Sequence, residues 1–402
     1  MTAVTTQRGP RIVLYSHDTF GLGHLRSSRA LATALTAANP TASALILTGS
    51  PVAGRFAFPQ RVDHVRLPGV TKLPDGSYIS QTLGLDIDEV TDLRARLIET
   101  TLEAYEPDLF IVDKEATGFR GELIPALDTL MDHGKTCCVL GLRDVLDEQD
   151  VLATELERKG AFAAIEDYYD DIWVYGPKSF YDPVADLPLS QSSRDRMHWT
   201  GYLRRGTLDG APETGRPYIL VTPGGGGDGE AMVDLVLSAY ERHSDLTMCA
   251  KFVYGPFLAG DTRAEFEKRA TALGDRISTV GFESKIEHLY AGAQGVVCMG
   301  GYNTFCEILS FDKRAVIVPR TRPRKEQFIR AARAEELGLV SMLSEERGEL
   351  TVDAMAEAIR RLPSQNKPSE AGADALMGGL TFVTRRVEQL LRAASAHTSA
   401  AE

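Results

Sequence analysis

Two short stretches carry the residue types from which chemistry can be built. The first, VCMGGYNTFCEILS (297–310), follows an apolar run with Gly300 and Gly301, then Tyr302, Asn303 and Thr304, and sets Glu307 one turn further on. A strand that breaks at glycines and reopens as a helix aims backbone N–H groups and the positive end of the helix dipole at one point, which favours an anion such as a diphosphate. A carboxylate one turn inside such a helix can accept two hydrogen bonds from a ribose diol. The second stretch, SHDTFGLGHLR (16–26), follows the apolar run RIVLY. Gly21 and Gly23 allow close approach of backbone to a ligand. His24 stands where a helix should begin, as a base or as a capping residue, and Asp18 is either a second proton acceptor or a turn residue.

Further segments fall at the same kind of junction. TPGGGGDG (222–229) separates a strand from a helix, and Gly225 and Gly226 keep side chains clear of a diphosphate or its sugar. Phe282 and Glu283 follow another strand and suit the edge of a nucleobase pocket. Arg320, Arg322, Arg324 and Lys325 form a basic run in an acidic protein, beside a helix that starts near Glu326 and Gln327; at least one of them is expected to meet phosphate. Asp113, Lys114 and Glu115, and then Arg143 and Asp144, also end apolar runs. They either bind an acceptor, orient His24 or pair among themselves. The glycine loop lacks the Gly-Lys-Ser/Thr ending of a P-loop, and Arg26 interrupts the dinucleotide fingerprint. Zinc-hydrolase, serine-hydrolase and D-x-D metal patterns are also missing, so no metal ligand is assigned.

The elements that must position these residues are legible as apolar runs alternating with amphipathic stretches. Strands are expected at 11–15, 44–48, 109–112, 137–142 and 171–175, then at 218–222, 248–253, 277–280, 295–298 and 315–318. Helices are expected between them, with a long loop over 68–82. Strands alternating with helices predict doubly wound parallel sheets. The polar stretch after Gly201 reads as a linker, which gives a first Rossmann-like domain over 1–203, a second over 204–378, and a final helix with a flexible tail over 379–402. A chain of 402 residues commonly splits this way.

Lys and Arg total 44 against 56 Asp and Glu, a net charge of −12. That balance disfavours nucleic acid as a partner and a broad basic membrane face, while a local peripheral membrane contact stays open. Five cysteines without C-x-x-C spacing suggest core thiols in a reducing compartment. The start MTAVTTQRGP has no apolar signal core, and a cytoplasmic location is expected.

On these residues the chain resembles the GT-B glycosyltransferases of the family that includes the peptidoglycan lipid-intermediate N-acetylglucosaminyltransferase (the glycosyltransferase family 28 C-terminal domain type). It is most similar to a bacterial group of predicted glycosyltransferases with YSHDTFGLGHLR and MGGYNT motifs. The resemblance implies two Rossmann-like domains facing across a cleft, the C-terminal helix crossing back to the first. It implies an inverting, metal-independent hexosyltransferase with no cofactor, using a UDP-, dTDP- or GDP-linked sugar on an acceptor of unknown class. Carried over residue by residue, it makes His24 the candidate base, with Asp18 or Asp113 as the other candidates. Glu307 becomes the ribose ligand, Phe282 and Glu283 the base-reading turn, and Gln327 a donor-sugar contact. Glu326 stands where the peptidoglycan enzyme has a second amide. A sugar-nucleotide 2-epimerase and a non-catalytic sugar-nucleotide-binding subunit are the competing readings. Oligomeric state is left unassigned.

Overall fold

The structure, a computed structural model, describes residues 8–17, 22–73, 77–206, 215–225 and 227–401. The apolar runs become strands: β1 (Arg11–Ser16), β2 (Ser43–Thr48), β3 (Val62–Arg66), β4 (Val70–Lys72), β5 (Tyr78–Ser80), β6 (Leu109–Asp113), β7 (Cys137–Arg143), β8 (Asp171–Tyr175) and β9 (Met197–Trp199). In the second half they are β10 (Tyr218–Thr222), β11 (Cys249–Val253), β12 (Ile277–Val280), β13 (Gly295–Cys298), β14 (Arg314–Ile317) and β15 (Ser341–Met342). Apart from the β4–β5 hairpin, they assemble into two sheets, ordered β3-β2-β1-β6-β7-β8-β9 and β12-β11-β10-β13-β14-β15. Every pairing within the two sheets is parallel. The central strands are buried throughout, as β6 (LFIVD) and β10 (YILVT) are, because helices cover both faces of a parallel sheet. The fold class is therefore the expected α/β arrangement of two doubly wound, Rossmann-like lobes.

The 68–82 stretch is not a plain loop. It carries the antiparallel hairpin of β4 and β5, with Val70 packed against Val90 and Phe119. The helix Ile87–Tyr105 follows, opened by a capping box in which the Asp86 carboxylate accepts from the N–H groups of Asp88 and Glu89. Among the described residues, no helix is long and apolar enough to cross a membrane.

In each sheet the strand order reverses beside the first strand of its lobe, between β1 and β6 and between β10 and β13. Loops leaving the carboxyl ends at such a switch point diverge and open a crevice. The segments singled out above leave those ends, so one topological rule brings them together.

The lobes are closely tied. Phe180, Tyr202 and Phe305 interlock with ring centroids 5.2–5.6 Å apart, joining first lobe, linker and second lobe. The Tyr202 N–H donates to the Leu376 carbonyl (2.7 Å), and the Gly379 N–H returns to the Tyr202 carbonyl (3.0 Å). The final helix, Gly379–Ala401, then runs back onto the first lobe and packs against the helix Gly23–Ala38. Its Val383 and Val387 are buried, and Arg386 grips Asp171 with two 2.8 Å bonds. The helix continues through the stretch that composition assigns to a tail.

Gly300 shows how tightly the β13 junction is built. Its φ is +74°, and a Cβ there would lie 2.6 Å from Ile317 Cγ2 on the adjacent β14. Gly300→Ala adds overpacking to an unfavourable dihedral, so a stability loss of about 2 kcal/mol is expected in thermal or urea unfolding. An unchanged midpoint would mean that this turn relaxes freely.

Candidate functional site

A cleft of ≈ 1510 Å³ lies between the lobes, lined from both sides. Its first-lobe wall is set by β1, β6 and β7. β1 leads into the helix Gly23–Ala38, which begins with His24; β6 ends at Asp113; β7 ends at Arg143. His24 Nδ1 lies 3.0 Å from Asp113 Oδ2, and Arg143 Nη2 donates to the same oxygen at 2.8 Å. Arg143 also donates to the Gly23 carbonyl (3.2 Å) and the Ser27 hydroxyl (2.8 Å). Burial pushes the Asp113 carboxyl up, but Arg143 and His24 outweigh it and hold the group below its ordinary range. A permanently ionised carboxylate thus anchors one nitrogen of the histidine. Three residues of three βα turns, far apart in sequence, become one arrangement suited to accepting a proton.

The second-lobe wall holds the expected donor elements. Gly225, Phe282, Glu283, Gly301, Tyr302, Asn303, Thr304, Glu307, Arg320, Glu326 and Gln327 all line the cleft, whereas Gly300 does not. The Gly300 carbonyl accepts from Arg330 instead (3.2 Å), so Gly300 shapes the turn rather than meeting a ligand. Asp18, Gly21 and Gly226 lie outside the described residues. The helix Tyr302–Ser310 starts at Gly301 with no side chain capping it, which leaves its first-turn N–H groups for an anion. The glycine loop is held by packing: a Cβ on Gly255 would sit 2.5 Å from the Gly224 and Gly225 carbonyl oxygens.

Several of these side chains have duties that the sequence did not reveal. Asn303 donates to the Gly23 carbonyl (2.7 Å) and accepts from Ser27 (3.1 Å) and from Arg205 of the linker. Its amide therefore joins the lobes, and a diphosphate at this turn would meet backbone rather than Asn303. Glu307 is fully buried, and its Oε1 pairs with Arg26 from the opposite lobe, with Glu287 3.6 Å from the same guanidinium. Oε2 has no partner. Burial raises the Glu307 pKa against the pull of Arg26. Arg26 occupies the position where a dinucleotide fingerprint needs glycine, which marks it as unusual without naming its partner.

The basic run is mostly neutralised. Arg320 pairs with Asp228 and Glu326, Arg324 with Glu155 (2.7 Å), and Lys325 with Glu148 (3.1 Å). Arg322, exposed on the cleft, has no ion-pair or hydrogen-bond partner among the described residues. It is the one member of the run left for phosphate. Gln327 accepts from the Arg320 N–H (3.2 Å), and Phe282 packs edge-on to Phe56 beneath Arg55.

Residues 219–385 match the family model of the glycosyltransferase family 28 C-terminal domain. No curated protein matches the chain significantly. Among solved structures, the chain is similar to Phytolacca americana UGT2 complexed with UDP-2fluoro-glucose and pterostilbene, at 14% identity over 95% of this chain and 100% of that one, with a TM-score of 0.64. It is similar to glycosyltransferase VinC in complex with dTDP, at 17% identity over 96% and 100%, TM-score 0.60. It is also similar to CalG4, the calicheamicin glycosyltransferase, at 18% identity over 96% and 99%, TM-score 0.57. Likeness at such identities establishes the fold, which is GT-B. The family 28 domain supports a transferase enzyme.

Proposed function

We propose that this protein is an inverting, metal-independent glycosyltransferase that moves a sugar from a nucleoside diphosphate to an acceptor hydroxyl. One observation carries the reading. A histidine–aspartate pair and a buried, half-satisfied carboxylate sit on opposite walls of one cleft. Glu307 Oε2, buried without a partner among the described residues, suits a ribose hydroxyl, since buried acceptors are rarely left unpaired. Arg26 keeps Oε1 and supplies a counter-charge that opposes the cost of burying the carboxylate. The structures in complex with a UDP-sugar analogue and with dTDP point to the same donor class here. The MGGYNTFCE and FGLGH motifs add the likeness to the peptidoglycan transferase family.

The chemistry follows from the placement of the walls. His24 takes the proton of the acceptor hydroxyl, whose oxygen attacks the anomeric carbon. The bond from that carbon to the diphosphate breaks, and the nucleoside diphosphate leaves with the electron pair. A base on one wall and the leaving group on the other favour displacement with inversion. The N–H groups at Tyr302–Thr304 and the Arg322 guanidinium would meet the growing negative charge, the kind of preorganised interaction worth roughly 3–4 kcal/mol for one donor. Neither the epimerase nor the non-catalytic reading gains an observation in its favour.

Calorimetry against UDP, dTDP and GDP tests this. At least one should bind, and Glu307→Gln should weaken it about tenfold through loss of a charge-assisted hydrogen bond. Absence of binding by all three nucleotides and their sugar conjugates would overturn the proposal.

A further inference from the structure

We infer that the acceptor carries an acidic group close to its reactive hydroxyl, held by a cationic pocket that Lys114, Arg158 and Lys159 of the first lobe form with Arg324, which reaches across from the second. This rests on the transferase reading above and names the acceptor class that reading leaves open.

Directly after Asp113, the backbone passes through Lys114 at φ +74°. A long side chain is disfavoured in the left-handed region, and such strain concentrates at functional sites. The turn is held by the Lys114 N–H donating to the Gly141 carbonyl at 2.7 Å. The Lys114 side chain lines the cleft and is largely buried, yet its nearest carboxylate oxygen, Glu115 Oε1, is 3.6 Å away, beyond a hydrogen bond. The other carboxylates nearby, among the described residues, are occupied. Glu115 Oε2 accepts from Lys159 (2.6 Å), and Glu155 accepts from Lys159 (2.6 Å) and from Arg324 (2.7 and 2.8 Å). Arg158 lines the same region, exposed and without a partner among the described residues. Among the described residues Lys114, Lys159 and Arg324 thus share Glu115 and Glu155, with Asp147 also acting on Arg324, and the unpaired Arg158 leaves positive charge in local excess in a chain of net charge −12.

The pocket adjoins the proposed base. The ring of His17 lies 5.8 Å from that of His24. His17 is itself buried, and burial, with Lys114 and Lys159 adding to it, pushes its pKa down to about 3. It is neutral and does not compete for the anion. Beyond it, Tyr78 and Phe119 meet edge-on at 4.9 Å beside the exposed Ile124, an apolar wall for the body of the acceptor. A buried ammonium short of hydrogen bonds gains from any anion that supplies them, and charge-assisted bonds are about twice as strong as neutral ones. The donor diphosphate is served from the other wall, so these cations fall to the acceptor.

The probes are 4-hydroxyphenyl phosphate, 4-hydroxyphenylacetate and the uncharged 4-methoxyphenol, titrated calorimetrically with and without the preferred nucleoside diphosphate. At least one acidic phenol should bind about tenfold more tightly than the neutral one, the two arms separating phosphate from carboxylate. Lys114→Met should erase that preference while leaving nucleotide affinity within about twofold. Arg158→Gln, at an exposed site that does not endanger folding, should reduce it about threefold. No preference for either acid, or loss of nucleotide affinity in place of acid affinity, would overturn the inference. Failure of nucleotide binding in the unaltered protein would instead sink the transferase reading, and the titrations on free protein would still decide the acid pocket.

Discussion

Replacing His24 by alanine should lower turnover by about 10²–10⁴-fold and leave nucleotide affinity unchanged within about twofold. The expectation follows from the way the ring is held. Asp113 Oδ2 takes Nδ1 at 3.0 Å, which leaves Nε2 for the acceptor hydroxyl. The carboxylate fixes the tautomer only while it is ionised. Burial opposes that, but Arg143 and His24 hold its pKa below the ordinary carboxylate range, so Asp113 stays charged through neutral pH. An acidic limb in the rate profile near neutrality therefore does not belong to Asp113. Asp113→Asn should reproduce much of the His24→Ala loss, because an amide can hold the ring in the wrong tautomer. Single-turnover kinetics with a bound donor provide the measurement. Unchanged turnover in His24→Ala would remove the histidine from the proton transfer and return the role to a carboxylate.

The second large effect concerns stability. Asp144 and Arg330 are each about 1% exposed and belong to opposite lobes. The aspartate takes two bonds from the guanidinium, at 2.8 and 2.6 Å, and a third from the Tyr202 hydroxyl at 2.8 Å. Asp144→Ala leaves an arginine charge buried without its partner, a change that typically costs 3–5 kcal/mol. Asp144→Leu combined with Arg330→Met removes both charges and should recover much of that loss, since the desolvation cost disappears with them. Urea unfolding of the single and double variants forms the test. A loss below about 1 kcal/mol in Asp144→Ala would mean that the pair behaves as a surface salt bridge.

The sheets were legible because burial on both faces makes parallel strands continuous apolar runs, as in RIVLY, LFIVD and YILVT. Where that condition fails, the signal fails. β3 (VDHVR) lies at a sheet edge with Val62 as its one buried residue, while β9 and β15 have three and two residues. The β4–β5 hairpin is equally short, and its Gly- and Pro-rich surroundings read as loop. Within the site, the strand-end rule brought His24, Asp113, Arg143 and Glu307 to one cleft. The pairings could not be read in the same way. Arg26 and Glu307 are 281 positions apart, and no periodicity connects them. The basic run likewise looked available for phosphate because its neutralising partners, Asp228, Glu155 and Glu148, lie in other elements.

The helix Gly379–Ala401 gives the order of biosynthesis a structural meaning. The first lobe is translated early, yet the helix that packs against its Gly23–Ala38 segment is made only after the second lobe. Until then Asp171, fully buried in the finished protein, can reach Trp173 (2.7 Å) but not the two-pronged grip of Arg386. The helix bearing His24 likewise waits for its outer neighbour. A nascent first lobe therefore lacks these contacts, and the wall bearing His24 gains its full packing only after the donor lobe has been made.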